Sequence, residues 1–158
     1  RQRVIAQEAQ QELMKRLSGR LMTVLATDGP AAAIQVCSKE AQQITAEIGE
    51  QKEVAIGRTS FRLRNQQNQP PQWAEPLIGQ RVEQPAFIDL PTGHLGALLP
   101  IRLQAPCLLC HGPTDNISAD VKEALAANYP LDQATGFELD ALRGWFWVEV
   151  PPPENAAR

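Results

Sequence analysis

The chain has no apolar run approaching the eighteen or so residues needed to cross a bilayer, which excludes a membrane-spanning helix within it. It begins at Arg1 rather than Met, so the expectation is a processed chain from which a signal peptide or membrane anchor has been removed. Blocks of like charge are missing too. Lys and Arg number 15 against 18 Asp and Glu, the formal net charge is −3, and the two signs alternate along the sequence. The electrostatic footprint of a nucleic-acid binder is therefore absent. Histidine and methionine are limited to two residues each and cysteine to three. An odd cysteine count excludes a framework made only of disulfides and leaves one thiol needing a reason, which a metal would supply. No internal repeat is visible, and the Gln-, Asn- and Pro-rich stretch 65–76 is too short to be a linker between separate domains. What is present is 158 residues with 43% hydrophobic content, enough for one core, and a single domain over 1–158 is the expectation.

Residues 4–26 place Leu13, Met14, Leu17, Leu21 and Leu25 at three- and four-residue spacing, the signature of a long amphipathic helix. Asp28-Gly29-Pro30 breaks it and restarts a second helix running to about Ile48. On that helix Ala33, Ile34, Cys37, Ala41, Ile44 and Ile48 share a face, which turns Cys37 toward the core. The stretch 65–76 reads as a surface loop, with Trp73 available to pin it. Two antiparallel strands are expected at 86–90 and 95–103, joined by a turn at Pro91-Thr92-Gly93. A short helix follows at 118–128, capped by Ser118 and apolar at Val121, Ala124 and Leu125. The aromatic and β-branched segment 144–150, stopped by three prolines, reads as the last strand. Helices first and an antiparallel sheet afterwards make an α+β fold.

The one constellation that carries chemistry is Cys107-Leu108-Leu109-Cys110-His111. Two thiols three positions apart can each add to a vinyl group of one porphyrin, with the next residue left beneath the iron, so His111 becomes the proximal ligand of a covalently attached haem c. Two plainer readings compete. Zinc wants four ligands in a compact set, and outside this segment the chain offers only Cys37 and His94, singly and far apart. A redox dithiol belongs at the start of a helix in a βαβ unit; here Gly112-Pro113 follows at once, and His111 would go unexplained. For the other face of the iron the candidates are Cys37, His94, Met14 and Met22. The methionines have the spacing of plain core residues, and His94 falls in a turn open to solvent. Cys37 is either a small hydrophobe or a thiolate ligand, and spacing alone does not choose.

Several separated stretches resemble a known family. They are Val36-Cys37-Ser38, then residues 57–65 (Gly57 to Asn65, with Arg58, Arg62 and Arg64), then Cys107-Leu108-Leu109-Cys110-His111-Gly112, Tyr129-Pro130, Ala134-Thr135-Gly136 and Leu142-Arg143-Gly144. In this order they are similar to single-haem c-type proteins with a PAS-like fold, found free-standing in cyanobacteria and as sensor portions of bacterial signalling proteins. The resemblance spans most of the chain. It departs at Asn65-Gln66, where the family commonly has Asn-Pro, which bears on the loop and not on the haem. The resemblance implies iron held by His and Cys, at the matching positions His111 and Cys37.

Arg58, Arg62 and Arg64 have a physical use whatever the family, because guanidinium groups pair in two-pronged fashion with carboxylates and haem carries two propionates. On a strand, Arg62 and Arg64 would share a face with Arg58; the plain alternative is a solvated charged face. Tyr129, Trp145 and Phe146 read as ordinary core rather than site residues. Thiolate ligation favours ferric iron, so a low potential is expected. Function then divides between a redox or gas sensor, in which Cys37 leaves on reduction and carbon monoxide or nitric oxide takes its place, and a small electron carrier serving a redox partner. With both axial positions filled by protein and no nucleophile–base pair in view, an enzyme is not expected. Haem attachment of this kind takes place outside the cytoplasm, so the expected location is exported, in the periplasm or the thylakoid lumen.

Overall fold

A computed structural model describes residues 1–153, the side chains of Cys37 and Ala105 excepted. The α+β order read from the sequence is the one found. Helix α1 (Gln2–Asp28) and helix α2 (Pro30–Lys52) form an antiparallel hairpin, broken at Gly29, whose φ of 86° suits glycine. Pro30 occupies the first turn of α2, where its missing N–H costs nothing. The α1 face turned inward is Ala6, Ala9, Leu13 and Val24, with Leu17 packed beside it. Met14 lies off that face and is 43% exposed, because one residue beyond Leu13 is roughly 100° further round the helix. The α2 face behaves as expected: Ala33, Ile34, Ala41 and Ile48 are all buried. Thr45 joins them by returning its hydroxyl to the carbonyl of Ala41 at 2.7 Å.

Helix α2 runs one turn further than its apolar pattern suggests, to Lys52, and Glu53 in the left-handed conformation swings the chain into β1 (Ala55–Thr59). The stretch expected as loop is punctuated by a short helical turn at Gln72–Ala74 that continues into α3 (Glu75–Gly79). Trp73 does pin it: the indole Nε1 donates to Glu149 Oε1 at 2.7 Å, and the ring lies over Gly96 so closely that a Cβ there would sit 3.1 Å from it. Strands β2 (Ala86–Asp89) and β3 (Leu95–Arg102) form the expected hairpin, with Thr92 and Gly93 at positive φ in the turn. After β3 come α4 (Leu108–His111), α5 (Ala119–Asn128) and β4 (Leu142–Val150). Ser118 precedes α5 as expected, but its hydroxyl goes to the Asp120 carboxylate rather than to a backbone N–H.

The sheet is antiparallel throughout in the order β1-β4-β3-β2. Both of its faces are covered, which is why β3 and β4 are apolar at consecutive positions instead of alternating. Phe146, Val148 and Val150 join Leu95, Ala97 and Leu99 against Ala6, Leu13 and Ile48 of the helical hairpin. On the opposite face Trp145 and Leu98 pack with Ala74 and Ile78, and Phe61, Trp73 and Trp147 close over them. Trp145 and Phe146 are thus sheet core, as read. No helix among the described residues is long and apolar enough to cross a membrane.

Where β1 ends, its backbone approaches the start of β4 closely. A Cβ on Gly144 would lie 2.3 Å from the Thr59 carbonyl oxygen and 3.0 Å from the Ser60 Cβ. Gly144→Ala must push two strands apart, and a stability loss of about 1–3 kcal/mol is expected, read as a lower urea midpoint at unchanged slope.

Candidate functional site

The segment 107–111 leaves the end of β3 through a short turn, Ala105–Cys107, and enters the single helical turn α4. Cys107 and Cys110 are both half-buried, and neither is in a disulfide. Gly112 ends the turn with its N–H on the Leu108 carbonyl at 3.0 Å, so tightly that a Cβ would sit 2.6 Å from that oxygen. The loop between α5 and β4 clamps α4 from the other side. Gly136 N–H donates to the Gly112 carbonyl and Phe137 N–H to the His111 carbonyl, both at 2.8 Å, while Phe137 stands edge-on to the imidazole.

Within this clamp the imidazole is fixed by one bond. His111 Nδ1 lies 2.7 Å from the Ala134 carbonyl oxygen. A carbonyl only accepts, so Nδ1 carries the proton and Nε2 is left with its lone pair for a metal. Part of the His111 surface remains open, yet its ring sits deep enough that burial is the first cause holding its pKa well below the ordinary histidine value. The positive charges of Arg143, Arg64 and Arg58 push the same way, and the Ala134 carbonyl works against them. His111 is therefore neutral at pH 7, the form in which imidazole binds metal.

Four arginines converge here. Arg58 stands on β1; Arg62 and Arg64 do not continue the strand, as they would have to in order to share its face, because β1 stops at Thr59 and the chain turns away. Ser60 holds that turn, donating its hydroxyl to the Arg143 carbonyl at 2.6 Å and accepting Arg62 N–H at 3.0 Å. Arg62 lies over Phe137, 3.8 Å from the ring centroid, and reaches the Thr135 carbonyl at 3.0 Å; its buried Nε has no hydrogen-bond partner. Arg64 is paired with Asp132 at 3.1 Å and also donates to the carbonyls of Cys110 and Ala134. The fourth, Arg143, sits at the start of β4 and donates to the Arg62 carbonyl at 3.2 Å. Burial, and then the charges of Arg64, Arg58 and Arg62, pull the Arg143 pKa down to about 9, with Asp132 opposing. So much positive charge gathered beside a metal-ready imidazole is the electrostatics of an anion site.

Of the candidates for the second axial position, the structure does not bring His94 near. It precedes β3 whereas 107–111 follows it, and the length of that strand spans roughly 25 Å. Met14 and Met22 are 43% and 39% exposed on α1. The Cys37 side chain lies outside the described residues, but its neighbours on α2 are placed. Ile34 is buried in a cluster with Val121, Leu125 and Ile117 against which Cys110 and Tyr129 pack, and Ser38 donates to Asn128 Oδ1 at 3.2 Å. That stretch of α2 therefore runs beside α5 and the 107–111 segment. Among the described residues no three His, Cys, Asp or Glu side chains cluster as a metal cage would require.

A family model described as Tll0287-like: Tll0287 matches residues 2–151. The chain belongs to the Tll0287-like family. Among solved structures it is similar to the cyanobacterial heme-protein Tll0287, with a TM-score of 0.67 and 24% identity over 91% of each chain. At that identity the likeness speaks to the fold. No curated protein sequence matches. For this Tll0287-like chain, the stretches that carried the resemblance now have physical reasons: Ala134 offers the carbonyl to His111, Gly136 turns at a φ of 78°, and Gly144 makes room for β1. Reading the sequence placed Arg143 in a matching stretch but gave it no role, because nothing in its neighbourhood marks it as a partner of Arg58, Arg62 and Arg64. It missed Asp132, and it gave the matching Ala134 no role, because a backbone acceptor leaves no mark in a sequence.

Proposed function

We propose that this chain binds one haem c, attached through Cys107 and Cys110, with His111 and Cys37 as the iron ligands, and that it serves as a redox- or gas-sensing domain in an exported compartment. The observation that carries this reading is the His111 imidazole, tied at Nδ1 to the Ala134 carbonyl with Nε2 left for a metal, directly after two half-buried thiols. The residues fit the group in a second respect. Haem brings two carboxylates; Arg58, Arg64 and Arg143 place positive charge on His111, and Arg62 adds its charge beside Arg143, where Asp132 offsets it only in part. Arg62, with its orphaned Nε, and Arg143, with its lowered pKa, are the better partners for those carboxylates; Arg64 already commits its donors inside the protein. When bound, the haem supplies a one-electron iron centre that thiolate ligation holds at low potential.

The protein's own role is to hold His111 neutral and oriented, to shield it with Phe137, and to carry Cys37 on a long helix. Helix α2 packs on α5 near Cys37 and on the sheet through Ile48, so a change in the bonding of Cys37 is felt along the element that joins the site to the core. With both axial positions assigned to protein, we read the chain as a binding module and not an enzyme.

The test is a set of visible absorption and electron paramagnetic resonance spectra on the ferric and ferrous holoprotein and on Cys37→Ser, with carbon monoxide and nitric oxide added. A low-spin ferric signal of thiolate type that is lost in Cys37→Ser, with gas binding after reduction, is the expected result. Identical spectra for the two proteins would remove Cys37 from the ligand set. Unchanged ligation on reduction without gas binding would make the protein an electron carrier, and no haem absorption would end the reading altogether.

A further inference from the structure

Arg64 and Asp132 are joined to the His111 ligand by a closed ring of contacts that the haem reading does not use. His111 Nδ1–H donates to the Ala134 carbonyl at 2.7 Å, and Arg64 Nη2 donates to the same oxygen at 2.9 Å. The same Nη2 also reaches the carbonyl of Cys110, the residue before the ligand. Arg64 Nε bonds Asp132 Oδ1 at 3.1 Å, and that oxygen accepts the Ala134 N–H at 2.8 Å. Both side chains are about nine-tenths buried, at 10% and 9% exposure, so solvent does little to screen them. One fork thus holds the residue before the ligand and the carbonyl that orients the ligand, and Asp132 holds the fork.

We propose that Arg64 and Asp132 are a positioning pair that fixes the His111 imidazole and sets, through the Ala134 carbonyl they share, how strongly His111 donates to iron. The inference rests on the haem reading above. The physics is that of an outer-shell partner. The more a carbonyl draws on the Nδ1 proton, the more electron-rich Nε2 becomes, and the more ferric iron is favoured. A guanidinium on the same oxygen withdraws density from it, weakens that pull, and adds a nearby positive charge; both effects favour ferrous iron. Asp132 offsets the charge and keeps Arg64 in register. Removing the two partners therefore has opposite consequences, which loosening of the fold would not produce.

The experiment is potentiometric titration of the holoprotein, with ferric electron paramagnetic resonance, for Arg64→Gln, Asp132→Asn and Arg64→Lys. Arg64→Gln is expected to lower the midpoint potential, with the ferrous-to-ferric ratio at a fixed potential falling about tenfold, equivalent to about 59 mV for one electron. Asp132→Asn, in which the amide oxygen still accepts the Ala134 N–H, is expected to raise it. Arg64→Lys keeps the charge but has one ammonium in place of the fork; it is expected to hold haem, with its potential between those of Arg64→Gln and the unaltered protein. Shifts of both neutralising variants in the same direction, or no shift in either with haem loaded, would overturn the proposal. So would a lysine variant identical to the unaltered protein, since Arg64 would then act as a local charge alone. Should Arg64→Gln fail to mature, the signs for Asp132→Asn and Arg64→Lys decide. Failure of the haem reading itself is distinct, because the unaltered protein would then carry no haem to titrate.

Discussion

Replacing Cys107 and Cys110 together by serine is expected to leave no haem on the polypeptide after denaturation, where the attachment proposed above would keep it on the unaltered chain. The check is haem staining on a denaturing gel and the haem fraction extracted by acidified acetone. Serine keeps the size and fold of each site but its hydroxyl does not add to a vinyl group, so the covalent link goes while α4 stays. The half-buried setting of both cysteines and the Gly112–Leu108 bond that closes the turn keep the two residues on a short, stiff segment next to His111. Each single serine variant should retain haem by one bond. The double variant separates the two roles proposed for the segment, because His111 and its Ala134 bond are untouched. Haem added to it is expected to bind reversibly and to wash out.

Trp145→Ala is expected to cost about 3–5 kcal/mol and to lower the melting temperature by on the order of 10 °C in the holoprotein, measured by circular dichroism. Trp145 is fully buried near the start of β4, packed edge-on to Phe61 at 6.0 Å and donating its indole N–H to the Val82 carbonyl at 2.9 Å. Alanine removes the largest buried side chain, leaves a cavity between the sheet and α3, and strands the Val82 carbonyl. The loss does not stop at stability. Phe61 also stands edge-on to Phe137, and Phe137 carries Arg62 on its ring face and meets His111 edge-on. A collapsed Trp145 site is therefore expected to disturb the arginine cluster, visible as a changed ferric spectrum at temperatures where the variant is still folded.

The legible regions of the fold were those in which one face of an element meets one partner. The α2 face from Ala33 to Ile48 and the hairpin around Thr92 and Gly93 could be read because periodicity and turn chemistry agree with the packing. Met14 was misplaced on α1 because the side chains that face the sheet there include two alanines, Ala6 and Ala9, and a pattern weighted toward large residues drifts off their line. β1 was legible only conditionally: five residues ending in a turn held by Ser60 give little alternation to read. In the site, the thiols and His111 announce themselves by spacing. The arginines came together by a route the sequence does not display, around the end of β1 and across to β4. The acceptor that orients His111 belongs to the backbone of Ala134, whose side chain has no chemistry at all.

The sheet order also has a temporal side. β4 is the last strand made, yet it is the one that joins β1 to β3, and it carries Arg143 near its start. While the chain is still emerging from a ribosome or a translocation channel, the helical hairpin and the β2–β3 pair can form from local contacts, but β1 has no neighbour to pair with and the arginine cluster lacks a member. Closing the sheet requires the distant pairing of Thr59 with Trp145, which makes it a late and slow event. On the attachment proposed above, that interval is the window in which an attachment enzyme would meet Cys107 and Cys110 beside an arginine cluster still waiting for Arg143.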